Sequence, residues 1–501
     1  MRRLAAGCLT LLLLGSNASA DWLEASSDHF VIYGDQSEKA LRGFAERLER
    51  FHAAMAYVFR RPPARPSASN RVTIYVVSTQ AAVRDLAGSS DRALAGVYLP
   101  RAGAAIAVIP RPGVAAAQYG MSPETILFHE YAHHFMAGLT ARTFPRWFVE
   151  GFAEFFAGVK FRADGGVGLG APATHRFAEL AYAPEVPIRR MLEFDGGAGT
   201  SRSGYDAFYG QSWVLFHYLQ FAPERAGQLV QYQQRLAAGE PALDAARGAF
   251  GDLDRLETDM ESYQRRRKIS YLLIDPRALT IGPITIRELR PGETAMMPTR
   301  MRSRAGVTPE QAANLLPEAR KIAAQHPDDP AVLAALAEAE FDAGDEDAAI
   351  AAADRALVID PQQIDAHIQK GYALFSKVEK GTLPAESWKD VRSQFVRANK
   401  VENDHPVPLV QYYLSYLVQG APPTKAAVDG LEWAMVLAPF DVSLRWLVAQ
   451  RMVSENRLKD AAQTLKPLAY SPHPGEFTDQ ARKMLQDVEA RIGEAQSPSP
   501  D

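Results

Sequence analysis

The sequence predicts two architectures in one chain: an α+β domain in the first half and an all-α helical domain in the second. Three observations carry this reading. Short alternating apolar runs near residues 29–33, 71–78 and 95–109 lie among amphipathic helical segments. Beyond residue 306 nearly everything is alanine-rich with helical periodicity, and prolines recur there at almost constant spacing.

The chain opens MRRLAAGCLTLLLLGSNASA: two arginines, an apolar run from Leu4 to Leu14, then Ala18-Ser19-Ala20. Residues 1–20 are therefore expected to be a secretory signal peptide cleaved near Ala20, too short for a stable span, which places the product in the periplasm or outside the cell. Cys8, the single cysteine, precedes most of the apolar run, which argues against a lipoprotein. Without disulfides, roughly 480 residues must gain stability from packed cores, in two or three domains. A net charge of −4 and a pI near 6.3 give no electrostatic footprint for nucleic acid. The basic run Arg265–Lys268 follows an acidic helical stretch and reads as a solvated helix end, and no later apolar run is long enough to span a membrane.

Within 21–275, residues 29–33 read as a strand. An amphipathic helix follows from about Ser37 to Phe59, with Leu41, Phe44, Leu48, Phe51 and Met55 at helical spacing. Arg71 to Ser78 alternates as a strand, and 95–109 reads as a hairpin. Ser122-Pro123-Glu124 is a helix start, with Ser as N-cap and Pro at the first helical position. That helix is expected to reach about Ala137, with Gly138 as its stop. Thr143-Phe144-Pro145 restarts a helix, 160–204 shows no clear period, and 205–221 is helical again.

Residues 276–305, with short alternating runs, read as a connector or small β element. In 306–490, Pro327 and Pro361 are 34 apart, Pro406 and Pro439 are 33 apart, and Pro472 lies 33 further on. An insertion of about 11 residues around "SKVEKGTLPAESW" accounts for the longer interval between Pro361 and Pro406. Small residues (Ala337, Ala349, Ala356; Ser415, Ala427, Ala434) fall where two packed helices per repeat must approach closely. This region resembles the tetratricopeptide repeat family over about 310–475, which implies a surface for a protein partner or substrate. The tail 491–501 is expected to be disordered.

The chemistry concentrates in 129–154, "HEYAHHFMAGLTARTFPRWFVEGFAE". His129 and His133, at i and i+4, project from one helix face about a turn apart, a separation that suits two nitrogens converging on Zn²⁺. Glu130 is displaced around the helix, placed to act as general base and acid on a metal-activated water. A catalytic zinc site needs a third protein ligand, for which Glu150 is the candidate, while Glu154, one turn on, points the same way and is suited to hold a ligand imidazole. His134, turned about 100° from His133, reads as a packed or solvated histidine.

His129-Glu130-Tyr131-Ala132-His133, followed after sixteen residues by Glu150 within "PRWFVEGFAEFF", resembles the gluzincin zinc metallopeptidases, in particular thermolysin-related families with a W-x-x-E-G-x-A-E block. The likeness is specific over 122–156 and extends in general layout over 21–270. It implies a zincin-like domain with His129, His133 and Glu150 as ligands, Glu130 as general base/acid and Glu154 in support. The ligand spacing is slightly shorter than in several well-known members, so Glu154 stays open as the third ligand. A donor to the developing oxyanion is also required. Tyr209 is the first candidate, with Tyr205 and His217 as alternatives. The hairpin at 95–109 resembles the edge strand that gluzincins use for β-addition of a peptide, or is plain sheet.

The expectation is an exported zinc endopeptidase or aminopeptidase whose repeats recruit substrate or partner. Two alternatives stand beside it: an envelope scaffold that has lost turnover and works through its repeats, and zinc hydrolysis of a non-peptide bond.

Overall fold

The computed structural model describes residues 22–62, 64–92, 94–113, 121–140, 142–194, 205–471, 475 and 477–496. The expected signal peptide, Cys8 and Pro472 lie outside these residues.

The first half is organised on a six-stranded sheet. Strands β1 (Leu23–Ser26) and β2 (Phe30–Gly34) lead into helix α1 (Glu38–Val58), followed by β3 (Val72–Val77), α2 (Gln80–Ala87), β4 (Val97–Leu99) and β5 (Ile106–Pro110). The strand order is β4-β5-β3-β2-β1 and then a late strand, β9. Strands β2, β3 and β5 run parallel; the other pairings are antiparallel. Those three central strands are apolar on both faces, as parallel strands buried on both sides require. Phe30, Ile32, Ile74, Val76, Ala107 and Ile109 face the main core with α1, whereas Tyr33, Tyr75, Val77, Ile106 and Val108 face a second layer.

The N-cap of α1 is Ser37, whose hydroxyl accepts the Ala40 N–H. Helix α3 (Pro123–Leu139) starts at the expected Ser122 cap and runs through Gly138, ending one residue later. Gly138 has no positive φ, so it does not form the left-handed turn by which a glycine usually stops a helix. Helix α4 (Arg146–Ala157) follows. The aperiodic stretch contains β6 (Lys160–Phe161), β7 (Val167–Leu169), α5 (Phe177–Tyr182) and α6 (Ile188–Met191). Beyond it come α7 (Phe208–Phe221), α8 (Gln228–Ala237), α9 (Ala242–Phe250), α10 (Leu253–Gln264) and β8 (Leu272–Ile274), which joins β6 and β7 in a small antiparallel sheet.

Residues 276–305 are not a free connector. Strand β9 (Thr285–Glu288) extends the large sheet beside β1, and α11 (Pro291–Ala305) lays Met297 and Met301 on that sheet's second face. Helices then follow one another: α12 (Pro309–Gln325), α13 (Pro330–Asp342), α14 (Glu346–Ile359), α15 (Ile364–Glu379), α16 (Trp388–Val401), α17 (Pro406–Gln419), α18 (Lys425–Leu437), α19 (Val442–Ser454), α20 (Leu458–Ala469) and α21 (Thr478–Gln496), with α13/α14, α15/α16, α17/α18 and α19/α20 as pairs. Pro327, Pro361, Pro406 and Pro439 all sit where one of these pairs begins, and the insertion lengthens the α15–α16 turn. The six small residues named above are fully buried. Residues 491–496, expected in the disordered tail, continue α21, because Leu485, Val488 and Ile492 extend its apolar stripe onto the preceding helices.

The helical array curls back onto the first half. Arg304 in α11 pairs with Glu338 of α13 (3.1 Å) and Asp365 of α15 (2.8 Å). Further along, Glu402 accepts the Ser69 hydroxyl (2.6 Å) and amide (2.8 Å), and Asp441 accepts the Ala102 N–H (2.7 Å). Among the described residues no helix is long and apolar enough to cross a membrane.

Candidate metal centre

Helices α3 and α4 set the site. Leu127, Phe128, Tyr131 and Ala132 of α3 enter the main core beneath the sheet, which turns His129 and His133 toward α4. Helix α4 packs closely on α7 at Gly151, where a Cβ would lie 2.5 Å from the Ser212 carbonyl oxygen. The glycine after Glu150 therefore serves a close approach of helix backbones, and that approach seats both glutamates in the interior.

His129, His133 and Glu150 converge. Nε2 of His129 lies 3.1 Å from Nε2 of His133, and Oε2 of Glu150 lies 3.4 and 3.6 Å from those two nitrogens. Ligand bonds of about 2.0–2.1 Å in a tetrahedron imply ligand–ligand edges of about 3.3 Å, so these three atoms fit a zinc ion in size as well as in donor chemistry. Among the described residues this is the one group of three or more such side chains able to hold a metal.

Glu154 stands behind the trio. Its Oε1 is 3.2 Å from Nδ1 of His129, the ring atom turned away from the trio, and 2.5 Å from Arg176; its Oε2 is 2.6 Å from His175. Glu154 therefore faces the far side of the His129 ring, and Glu150 is the carboxylate that converges with the two imidazoles. Burial alone would raise both carboxyl pKa values, yet both are held below the ordinary range, Glu150 by His133 and His129, and Glu154 by His129, His175 and Arg176. Burial likewise opposes a charged His129, but hydrogen bonding to the two glutamates carries it up to about 10. Two buried carboxylates thus face imidazoles and a guanidinium at short range, each charge held by the others.

Glu130 leaves this buried cluster and lines, with His133 and His134, a cleft of about 460 Å³. Tyr98 of β4 borders the same cleft, its hydroxyl 2.5 Å from Nδ1 of His134. Burial, and then the Glu130 charge, hold the Tyr98 phenol protonated well above its usual value. His134 is packed, as expected: its ring lies 4.3 Å from that of Phe440 and stacks on Tyr131.

Tyr209 packs against Arg176, the arginine paired with Glu154. Its hydroxyl accepts from Arg146 (3.3 Å), Arg176 lies 4.7 Å from its ring centre, and its pKa is raised by burial first and then by Glu150. The two alternatives are placed differently. His217 is fully buried in α7, bonded to the Tyr263 hydroxyl (2.8 Å) and the Gly170 carbonyl (2.9 Å), and serves the core. Tyr205 precedes α7 and is 53% exposed. Sequence reasoning missed His175, Arg176 and Arg146, the first two because they lie in the aperiodic stretch, where no spacing ties them to Glu154. It also missed Phe440, Arg445 and Tyr470, which the array brings to the cleft across about 300 residues of chain.

A family model described as a protein of unknown function (DUF1570) matches residues 124–243. No curated protein matches this chain. Among solved structures, the chain is similar to a thermophilic TPR protein in Thermus thermophilus (18% identity, 36% of this chain and 92% of that one, TM-score 0.30). It is also similar to MamA (13% identity, 42% and 99%, TM-score 0.26) and to yeast Tom70 (13% identity, 60% and 63%, TM-score 0.28).

Proposed function

We propose that this chain is an exported zinc metallopeptidase of gluzincin type, with a tetratricopeptide-like array that recruits substrate or partner and walls one side of the substrate cleft. The reading rests on one observation above the others: three donor atoms of His129, His133 and Glu150 at zinc-site separations, with Glu130 beside them facing a cleft. Zinc, when bound, supplies a Lewis acid that polarises a water and the scissile carbonyl. Glu130 takes the proton of the attacking water and passes it to the departing amine. Glu154, braced by Arg176 and His175, fixes the ring of His129. Tyr209 donates to the developing oxyanion. Strand β4 is the edge of the large sheet and borders the cleft through Tyr98, so an extended peptide can add to it as a further strand.

Export rests on residues 1–20. The alternative, a scaffold without turnover, gains some support from Phe440 of the array, which packs against His134 at the cleft.

The test is metal content of the purified mature protein beside a His129→Ala/His133→Ala control, with a chelator-sensitive cleavage assay on a mixed peptide library. About one zinc per chain, lost in the control, together with chelator-sensitive cleavage, establishes the peptidase. Zinc without cleavage favours the scaffold, and no zinc after supplementation overturns the reading.

A further inference from the structure

Helix α19 carries a cation into the cleft. Arg445 lines the same cavity as Glu130 and His133, yet it belongs to the helical array. It is only 7% exposed. Its Nη2 donates to the Pro439 carbonyl (2.6 Å), and among the described residues no carboxylate lies within ion-pair distance of it. The nearest carboxylate in sequence on its own helix, Asp441, is engaged elsewhere: Oδ1 caps α19 at the Leu444 N–H and Oδ2 accepts the Ala102 N–H. Burial holds the Arg445 guanidinium below its ordinary pKa, with no carboxylate pulling it back. Among the described residues the other buried arginine, Arg225, has Asp259 as such a partner, and the half-buried Arg176 and Arg304 have Glu154 and Asp365.

A guanidinium offers five donors in a planar fork and stays charged at any physiological pH. Spending burial on one without an acid is costly unless an anion arrives. Here it would arrive from the cleft, where a bound peptide would pass both Glu130 and the array.

We propose that Arg445 is a substrate-anchoring residue, binding a carboxylate of the peptide held over Glu130 and His133, so that the array completes the substrate site and selects anionic peptides. This rests on the peptidase reading for the identity of the ligand. The carboxylate has two possible sources, the peptide's C-terminus or an Asp or Glu side chain.

The experiment uses zinc-loaded full-length protein as wild type, Arg445→Gln and Arg445→Lys. The probes are tetrapeptide libraries made as free acids and as C-terminal amides, each with Asp/Glu and with Asn/Gln members. Cleavage is read as kcat/KM, and binding is read separately in a Glu130→Gln background by fluorescence anisotropy. The wild type is expected to prefer the anionic member of a pair by about 10- to 100-fold, the range of a charge-assisted hydrogen bond. Arg445→Gln should collapse that ratio toward unity and Arg445→Lys should keep part of it. The pair that carries the preference identifies the source of the carboxylate.

Equal loss on charged and neutral peptides in Arg445→Gln means that Arg445 only holds the Pro439 turn, and overturns the proposal. So does cleavage by the wild type without preference, which leaves the peptidase reading standing. Binding that is anion-selective and Arg445-dependent, with no cleavage by any protein, overturns the peptidase and sustains the anchor. Neither binding nor cleavage overturns both.

Discussion

Nδ1 of His129 faces Oε1 of Glu154 at 3.2 Å, and Glu154 is itself pinned by Arg176 at 2.5 Å and His175 at 2.6 Å. The imidazole is thus oriented from behind by a carboxylate that cannot swing away. Glu154→Gln keeps the shape but loses the charge, and it should weaken zinc binding by about 10- to 100-fold, the usual cost of losing such a support. Glu150→Ala removes a ligand and should abolish stoichiometric zinc. Competition against a chromophoric chelator separates the two, and equal affinity of Glu154→Gln and wild type would remove the orienting role.

Glu130 sits on the cleft side of α3, outside the ligand trio. Glu130→Gln should therefore retain zinc while turnover falls by about 10²- to 10⁴-fold, the range for removing a general acid–base. Zinc content and kcat measured on the same preparation decide this. Wild-type turnover in the variant would sink the mechanism.

The phenol of Tyr209 stays protonated and so remains a donor, because burial and the nearby Glu150 charge both disfavour the phenolate. Tyr209→Phe removes only the hydroxyl. A group that acts on the transition state changes kcat far more than KM, and loss of one oxyanion donor costs about 10²- to 10³-fold. A rise in KM at constant kcat would instead make Tyr209 a contact of the ground-state substrate.

Local pattern carried much of the fold. The Ser122 cap, the period of α1 and the proline spacing of the array each record a constraint between near neighbours, and such constraints survive in a single chain. The convergence of His129, His133 and Glu150 was legible for the same reason, since His129 and His133 share a helix and Glu150 lies in the second turn of the next. Long-range events were not legible. Nothing local in "RPGETAMMPTRMRSRA" tells that Met297 and Met301 cover a sheet whose strands begin near residue 30, and nothing in "PFDVSLRW" tells that Arg445 meets Glu130 across a cleft. His217 misled because a histidine on an aromatic helix looks alike in sequence whether it faces a cleft or a core.

His217 also gives a pH dependence. Burial lowers its pKa from 6.5 to about 4, so at pH 5 it is neutral when folded and protonated when unfolded. The unfolded chain then binds more protons, and folding stability falls as pH drops from about 6.5 through about 4. The group's share of that loss is on the order of 2 kcal/mol by pH 5. His217→Gln removes the titration, so its stability should fall less between pH 7 and pH 5 than that of wild type, by about that amount. Denaturant melts at the two pH values measure it, and parallel losses would show that His217 is not the group responsible.

Gly151 tests whether helix packing sets the metal centre. A Cβ there would stand 2.5 Å from the Ser212 carbonyl oxygen and 2.9 Å from Cβ of Phe216, both on α7 and neither at the end of a flexible side chain. Gly151→Ala must therefore move α4 off α7, despite alanine's better helix propensity of about 1 kcal/mol. Overpacking of this kind costs about 1–3 kcal/mol. Because Glu150 precedes this residue and Glu154 lies a turn beyond, the shift carries both carboxylates away from His129 and His133. The expected result is a lower melting temperature in metal-free protein together with weaker zinc binding. A variant that loses stability but binds zinc with wild-type affinity would show that the glutamates are held by their own charge partners and not by the contact of the two helices.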